Sequence, residues 1–375
     1  MRRIAIRSLL HERGKLLAAL AGVAFAGVLV WTQTGLYAGF LRASSRVVEK
    51  VGGDLWLTGR GGQVVDNGEA LSAGVREVAL AHPAVARVRP LLFSFAPARK
   101  ANGGVEFVQV LGVEPGQGPP LPWSIEAGLP DAIDAPDRVA VDRHDLNKLG
   151  IPAEALGSTL RVGEKTLHVA AVTQGIRGFT LSPYLFMRTE TAREVLDLPG
   201  DSATYWVVDL HDPARAGEVA AWIEGELPEV AAWPRAAFME STETYWVRGS
   251  GAGTALFASA ILGAIVGVVV VGQTLHSLTS QHLRELATLK AIGATGGELV
   301  GFVAWQAGAL AAAGAVLGLG LTLVARELVR LAGLEVALTP TVLALGAGAI
   351  LGICALASAW SVRVVLGLEA AKVFR

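Results

Sequence analysis

One cysteine in 375 residues, Cys354, excludes a disulfide framework within the chain and any Cys-x-x-Cys redox or zinc site. It sits in an apolar run and reads as a small buried hydrophobe. Net charge is equally scarce. The 32 basic and 33 acidic residues leave −1, so no bulk electrostatic drive pulls the chain toward nucleic acid. Catalytic signatures are missing too. The phosphate cradle G-x-x-x-x-G-K-[ST] is absent, because Gly14-Lys15 is followed by Leu16. There is no H-E-x-x-H pair and no G-x-S-x-G elbow. The histidines do not pair on one helical face; His276 and His282 are out of phase. Asp142, His144 and Asp145 read as a polar turn and helix start. The expectation is a chain with no catalytic, cofactor-binding or metal-binding residues and no enzyme activity of its own.

Apolar residues are plentiful instead. They make up 52% of the chain, with a mean hydropathy of +0.47, above what a soluble domain carries. They gather in four runs: 16–41, 248–281, 299–325 and 336–362. The first, Leu16–Leu41, is free of charge, as are Gly249–Gln281 and the last two runs. A helix needs roughly 20 apolar residues to cross a bilayer, so each is read as a transmembrane helix. The first is too long for the core of a signal peptide and lacks a small-residue cleavage site. As a helix it would span about 39 Å against a hydrocarbon core of about 30 Å. That length permits a stalk beyond the bilayer, although tilt also accommodates it. Tyr37, Phe40, Tyr245, Trp246, Phe302, Trp305 and Trp360 lie near the expected ends, as interfacial anchors do. Ten flanking Lys and Arg fall on one side (Arg2, Arg3, Arg7, Arg13, Lys15, Arg284, Lys290, Arg363, Lys372, Arg375) and six on the other (Arg42, Arg46, Lys50, Arg248, Arg326, Arg330). The bias puts both termini and the loop after the second span in the cytoplasm. The spans carry no acid or base of the kind that ion-driven transporters use at membrane depth. Gly263 with Gly267, Gly314 with Gly318, and Gly348 with Gly352 are small-xxx-small pairs that favour close helix packing, within one chain or between two.

Residues 42–247 differ in composition. Pro and Gly punctuate short segments, as in an independently folded mixed α+β domain. Expected strands are Asp54–Thr58, Val88–Ala96, Val105–Val113, Arg138–Val141, Thr159–Val162, Lys165–Val172 and Thr204–Leu210. Gly163-Glu164 reads as a hairpin turn. Expected helices are Ser72–Ala81, capped by Ser72, then Thr189–Leu196 and Pro213–Leu227. Pro115–Pro136 reads as a loop. The fold class is therefore membrane α-helical, with four transmembrane helices and a large extracytoplasmic domain between the first and second. An amphipathic N-terminal helix at 1–15, a cytoplasmic segment at 282–298, a short periplasmic loop at 326–335 and a cytoplasmic tail at 363–375 complete the chain.

The 282–298 segment is the most distinctive. The stretch from Gln281 to Thr295 predicts a short helix stopped near Gly293. Leu283, Leu286 and Ala287 line one side; Leu289 and Ile292 line the other. A helix apolar on two sides seeks two neighbours. Its run Arg284-Glu285-Leu286-Ala287-Thr288-Leu289-Lys290-Ala291-Ile292-Gly293-Ala294-Thr295 resembles the pattern that follows the second span in the MacB/FtsX-like permease superfamily of ABC systems. The order of one span, a large domain and then three spans is similar too. The opening Ala5-Ile6-Arg7-Ser8-Leu9 to Arg13-Gly14-Lys15-Leu16, with Ala21-Gly22-Val23-Ala24-Phe25-Ala26, resembles the DevC-type branch. So does the ending Glu369-Ala370-Ala371-Lys372-Val373-Phe374-Arg375, which has Glu-Ala-Ala where that branch has Asp-Pro-Ala.

The resemblance implies an ATPase-coupling interface at Arg284, Glu285, Leu286, Leu289, Lys290, Ile292, Gly293 and Ala294. It implies ATP and Mg in a partner ATPase rather than in this chain. It also implies a second permease copy, contact with membrane lipids, and a periplasmic membrane-fusion adaptor with an outer-membrane channel. No nucleic-acid partner follows. The implied function is mechanotransmission that exports lipid-like or other amphiphilic cargo. The alternative is an FtsX-like signalling regulator that activates an extracellular hydrolase and moves no cargo. A membrane-anchored enzyme is disfavoured by the missing catalytic set.

Overall fold

The computed structural model describes residues 13–176, 178, 180, 182–281, 287, 288, 290, 292–331 and 334–366. The chain forms two compact units, one of 1–40 with 252–375 and one of 41–251. Helix α1, Arg13–Val51, contributes to both. It runs ten residues past the expected end at Leu41 because 42–51 keeps a helical period. Val47, Val48 and Val51 are buried while Glu49 and Lys50 are exposed. Gly52 and Gly53, at φ +72° and +80°, end it.

The 41–251 unit holds one ten-stranded mixed sheet. Its strands are β1 Leu55–Gly59, β2 Val85–Arg99, β3 Val105–Val113, β4 Ile125–Gly128, β5 Arg138–Asp142, β6 Thr159–Val162, β7 Lys165–Thr173, β8 Tyr184–Arg188, β9 Tyr205–Leu210 and β10 Val230–Pro234. The order is β10-β1-β9-β2-β3-β8-β5-β7-β4, and β6 pairs with both β7 and the far end of β2. That second pairing closes β2, β3, β8, β5, β7 and β6 into a ring, with β3·β8 and β5·β7 parallel. Closure removes exposed edges. Alternate residues Ala96 and Ala98, Val108 and Val110, Val139 and Val141, and Leu167 and Val169 point into one buried core. The β10-β1-β9 part is covered on both faces. Leu55, Leu57, Trp206 and Val208 meet α2 (Ala73–Ala81) and α5 (Ala216–Glu226). Trp56, Tyr205 and Val207 pack with Val47, Val48 and Val51 of α1 and with Phe238 of α6 (Arg235–Thr244). Two short helices, α3 Leu146–Leu149 and α4 Thr189–Val195, finish the unit.

Several expectations change. Ser72 starts α2 without a side-chain cap; its carbonyl instead accepts the Trp206 indole N–H at 3.1 Å. Pro115–Pro136 is not all loop, since β4 and a 3-10 turn at Pro130–Asp134 lie within it. Strands β8 and β10 and helix α6 were not expected. The first four residues of β8 are buried without a break, so no polar alternation marks it. The Gly163-Glu164 turn joins β6 to β7 with Val162 opposite Lys165 and Gly163 at φ +58°. Asp142 opens a 3-10 turn, accepting the His144 N–H at 3.1 Å.

In the other unit, α7 (Ala252–Gln281), α8 (Gly296–Leu331) and α9 (Pro340–Leu366) join the start of α1. Among the described residues, four helices are long and apolar enough to cross a membrane. Ala19, Val23, Ala26, Val30 and Trp31 of α1 form the core with Val271, Ala307, Leu310, Ile350 and Ile353. The expected boundaries at 248, 299, 326 and 336 shift. A π-helix at Tyr245–Gly249 precedes α7. Helix α8 takes in most of the expected 326–335 loop. Thr339 and Pro340 delay α9: the Thr339 hydroxyl accepts the Val342 N–H at 3.1 Å, and Pro340 occupies the first turn. Val336 and Ala337 are buried outside any helix, and the Ala337 N–H reaches the Gly35 carbonyl at 2.9 Å. Residues 1–12, most of the expected N-terminal helix, and 367–375 of the tail lie outside the described residues.

Candidate functional site

Of the proposed coupling residues, Arg284, Glu285, Leu286 and Leu289 lie outside the described residues; Lys290, Ile292, Gly293 and Ala294 lie within them. Ala287, Thr288 and Lys290 have helical geometry, and the Ile292 N–H reaches the Thr288 carbonyl at 3.0 Å. The chain then turns at Gly293, φ +108°, a conformation that an L side chain resists. Thr295 and Glu298 restart the helix with a capping box. The Thr295 N–H donates to the Glu298 carboxylate at 2.9 Å, and the Glu298 N–H donates to the Thr295 hydroxyl at 3.3 Å. Ala294 packs on Leu299, Phe302 and Val303, together with Val362 of α9. Ala287 is fully buried, whereas Ile292 is 80% exposed. The turn is thus seated on the helix ends by small residues and presents a branched apolar side chain outward.

The glycine pairs separate into two groups. A Cβ on Gly267 would stand 3.1 Å from Ala26, and one on Gly263 would stand 3.7 Å from Leu29. On α8, Gly314 abuts Val23, and a Cβ on Gly318 would be 2.8 Å from the Ala24 carbonyl oxygen. Both pairs let α1 approach closely. Gly348 and Gly352, expected to behave alike, meet nothing within 4 Å in this chain. The sequence reading missed Gly35 and Gly39 on α1, which abut Val336 and Glu335, and Gly346, which abuts Trp31. Gly35-x-x-x-Gly39 carried the same spacing signal.

The chain passes between its units twice, and the two joints are built differently. At the α1–β1 joint the Gly52 N–H bonds the Val48 carbonyl at 3.2 Å. The Trp56 indole donates to the Gly52 carbonyl at 2.9 Å. The buried Arg89 guanidinium donates to the Val51 carbonyl at 3.3 Å, a cation at a helix C-terminus. It also holds Asp209, with Nε 3.0 Å from Oδ2. Burial alone would raise the Asp209 carboxyl; the bonds and charges of Arg89 and Arg87 outweigh it and hold the group below the ordinary range.

The second joint follows α6. In the π-helix Tyr245–Gly249 the Ser250 N–H bonds the Tyr245 carbonyl at 3.2 Å, and the Ser250 hydroxyl bonds the Trp246 carbonyl at 2.7 Å. Gly251 follows at φ +74°, with open space where a Cβ would be. The Trp246 indole donates to the Asp66 carboxylate at 3.2 Å, and the Gln109 amide of β3 donates to its other oxygen at 2.7 Å. Gln109 in turn accepts from Thr180 at 3.3 Å. Burial pushes the Asp66 carboxyl up to about 6 despite these bonds. It also raises the phenols of the neighbouring Tyr184 and Tyr205. Sequence reasoning singled out neither joint network, because the partners are 120 and 180 positions apart. No group of acidic, histidine or cysteine side chains among the described residues is arranged to hold a metal.

Residues 16–226 match the family described as MacB-like periplasmic core domain, and 257–370 match the FtsX-like permease C-terminal family. No curated protein matches the chain. Among solved structures, the periplasmic region of MacB from Actinobacillus actinomycetemcomitans is similar at 11% identity and a TM-score of 0.37, over 52% of this chain and 94% of that one. The extracellular domain of the noncanonic ABC-type transporter YknZ from Gram-positive bacteria is similar at 10% identity and a TM-score of 0.35, over 48% and 98%.

Proposed function

Because the chain belongs to the MacB/FtsX-like family of ABC-transporter permeases, we propose that it is the permease half of an exporter that relays the motion of a separate ATPase to its periplasmic domain. The observation that carries the coupling role is the 290–299 turn, with Ile292 outward and Ala287 and Ala294 inward. An exposed isoleucine on a turn fixed to two helix ends suits a protein socket. Arg284, Glu285, Leu286 and Leu289 belong to the same contact. ATP and Mg act in the partner, and both termini face the cytoplasm with that partner. A second copy packs along α7, where Phe257, Ile261, Ile265 and Val269 stay exposed in one chain; lipid covers the rest. The DevC-type branch, with lipid-like cargo, a membrane-fusion adaptor and an outer-membrane channel, is the finer assignment that the terminal motifs favour.

The test is Lys290→Glu combined with Ile292→Glu. The full chain should still reach the membrane while its co-purified ATPase and the stimulation of ATP hydrolysis fall together. Unchanged ATPase recruitment and stimulation would remove the coupling role.

One observation favours the second reading, a regulator of an extracellular hydrolase. On the outer face of the β2–β3 hairpin, Phe95, Val105 and Phe107 are exposed, Phe107 by 62%, and Pro97 pairs with Phe107. Such a face suits a protein partner. Deleting the gene separates the two readings: cargo accumulates for an exporter, and only cell-wall hydrolysis changes for a regulator.

A further inference from the structure

Helix α6 and the π-turn after it keep helical geometry from Arg235 to Gly249. One face of that run carries Ala237, Glu240, Ser241, Thr244, Tyr245 and Arg248, spaced by threes and ones as a helical face is. With Gln63 and Trp233 these residues line a cavity of about 510 Å³, a size that small-molecule sites share. All of its walls belong to the 41–251 unit. The Ser241 hydroxyl donates to the Gln63 carbonyl at 2.8 Å and fixes the loop wall to the helix. Trp233 is braced by Phe238, with 6.3 Å between ring centres, and by pairing with Trp56 across β10 and β1. Its buried indole N–H has no acceptor among the described residues, a state that native interiors rarely keep.

The charges of the lining select the ligand. Glu240 and Arg248 are exposed, and neither side chain makes an ion pair or hydrogen bond among the described residues. Eight residues apart on one helical run, they stand about 12 Å apart along its axis, a spacing that flanks a small ligand. An ammonium group at Glu240 gains a carboxylate together with the faces of Trp233 and Tyr245. A phosphate at Arg248 gains a guanidinium. An amino-acid zwitterion, whose charges are about 3 Å apart, is too short to serve both ends. A phosphoethanolamine group carries the same two charges on a longer frame. We propose that this cavity binds a phosphoethanolamine group, with its ammonium at Glu240, Trp233 and Tyr245 and its phosphate at Arg248. The same group occurs free on glycerol and as the headgroup of a phospholipid.

Calorimetric titration of the purified full chain in a maltoside detergent tests it. The probes are glycerophosphoethanolamine, glycerophosphate and dihexanoyl phosphatidylethanolamine. Glycerophosphoethanolamine should bind about fivefold more tightly than glycerophosphate, the worth of one part-exposed ionic contact. Arg248→Gln should weaken both about fivefold. Glu240→Gln should weaken only the amine-bearing probe and erase its advantage. Glu226→Gln, on an exposed carboxylate of α5 outside the cavity, should change neither. Tighter binding of the dihexanoyl lipid than of glycerophosphoethanolamine, still weakened by Arg248→Gln, assigns the group to a lipid; equal binding assigns it to the free compound. Absence of saturable binding, equal affinity for glycerophosphate, or equal losses for both probes with Glu240→Gln overturns the proposal. No step uses nucleotide or an ATPase, so the result stands apart from the relay reading.

Discussion

Replacing Asp66 by Asn should change how stability depends on pH, with a sign fixed by the site. The carboxyl is raised from 3.8 to about 6, chiefly by burial, with Gln109 and Trp246 offsetting part of that rise. Its folded form therefore prefers the proton. Between pH 3.8 and about 6 the folded chain keeps a proton that the unfolded chain has released. The stabilisation is complete below the lower value and is lost as pH rises through the upper one. Roughly two units at about 1.4 kcal/mol each give about 3 kcal/mol as an upper figure. Asn has nearly the same volume and does not titrate. Relative to the unsubstituted chain, Asp66→Asn should gain about 2 kcal/mol on going from pH 4 to pH 7. For a domain of about 200 residues that is a relative rise of about 4–8 °C in the unfolding midpoint. The assay is thermal unfolding of the full chain in detergent, followed by tryptophan fluorescence, because Trp56, Trp206 and Trp233 belong to the periplasmic cores. Taking the difference between the two chains at each pH cancels the opposite trend of Asp209, whose lowered carboxyl loses stability as pH falls. A difference that stays flat from pH 4 to pH 7 would refute the reasoning, since it would mean that Asp66 ionises as freely when folded as when unfolded.

Three further outcomes follow from the geometry. Gly318→Ala should destabilise the helix bundle by about 1–3 kcal/mol, because its Cβ meets a backbone oxygen that cannot swing aside; Gly348→Ala should be near neutral, and a difference in detergent melting points reads both. Arg89→Ala should cost about 3–5 kcal/mol by leaving the Asp209 carboxylate half-paired and the end of α1 uncapped, whereas Arg87→Ala should cost about 1 kcal/mol or less, since that partner is exposed; denaturant midpoints separate them. Ile292→Cys should react with a membrane-impermeant maleimide only from the cytoplasmic side, with the buried Cys354 silent; labelling from outside the cell would reverse the proposed orientation.

How much of this was legible in the sequence depends on how local each signal is. Hydrophobic runs and turn residues are local. Strand bounds at Val105–Val113 and Thr159–Val162 coincide with the structure, because alternation ends at turn-forming residues on both sides. Apolar character falls away at Arg42, yet α1 continues to Val51. Only the period of Val47, Val48 and Val51 marks the continuation. Strand β8 was invisible because a strand buried on both faces has no alternation to read. The joints were beyond reach for a different reason. Trp246 looked like an interfacial anchor, a role its composition and position both suit. What the position does not reveal is its hydrogen bond to a carboxylate far away in sequence. Asp66 itself, in Val65-Asp66-Asn67-Gly68, has the sequence of a solvated turn. Its burial is imposed by the packing of Tyr205 and by Gln109 on the facing strand. A residue whose local preference is for water, yet which the fold desolvates, costs stability at neutral pH. That conflict between local and global preference is a reason to look for function at Asp66 rather than at the polar turns that satisfy both.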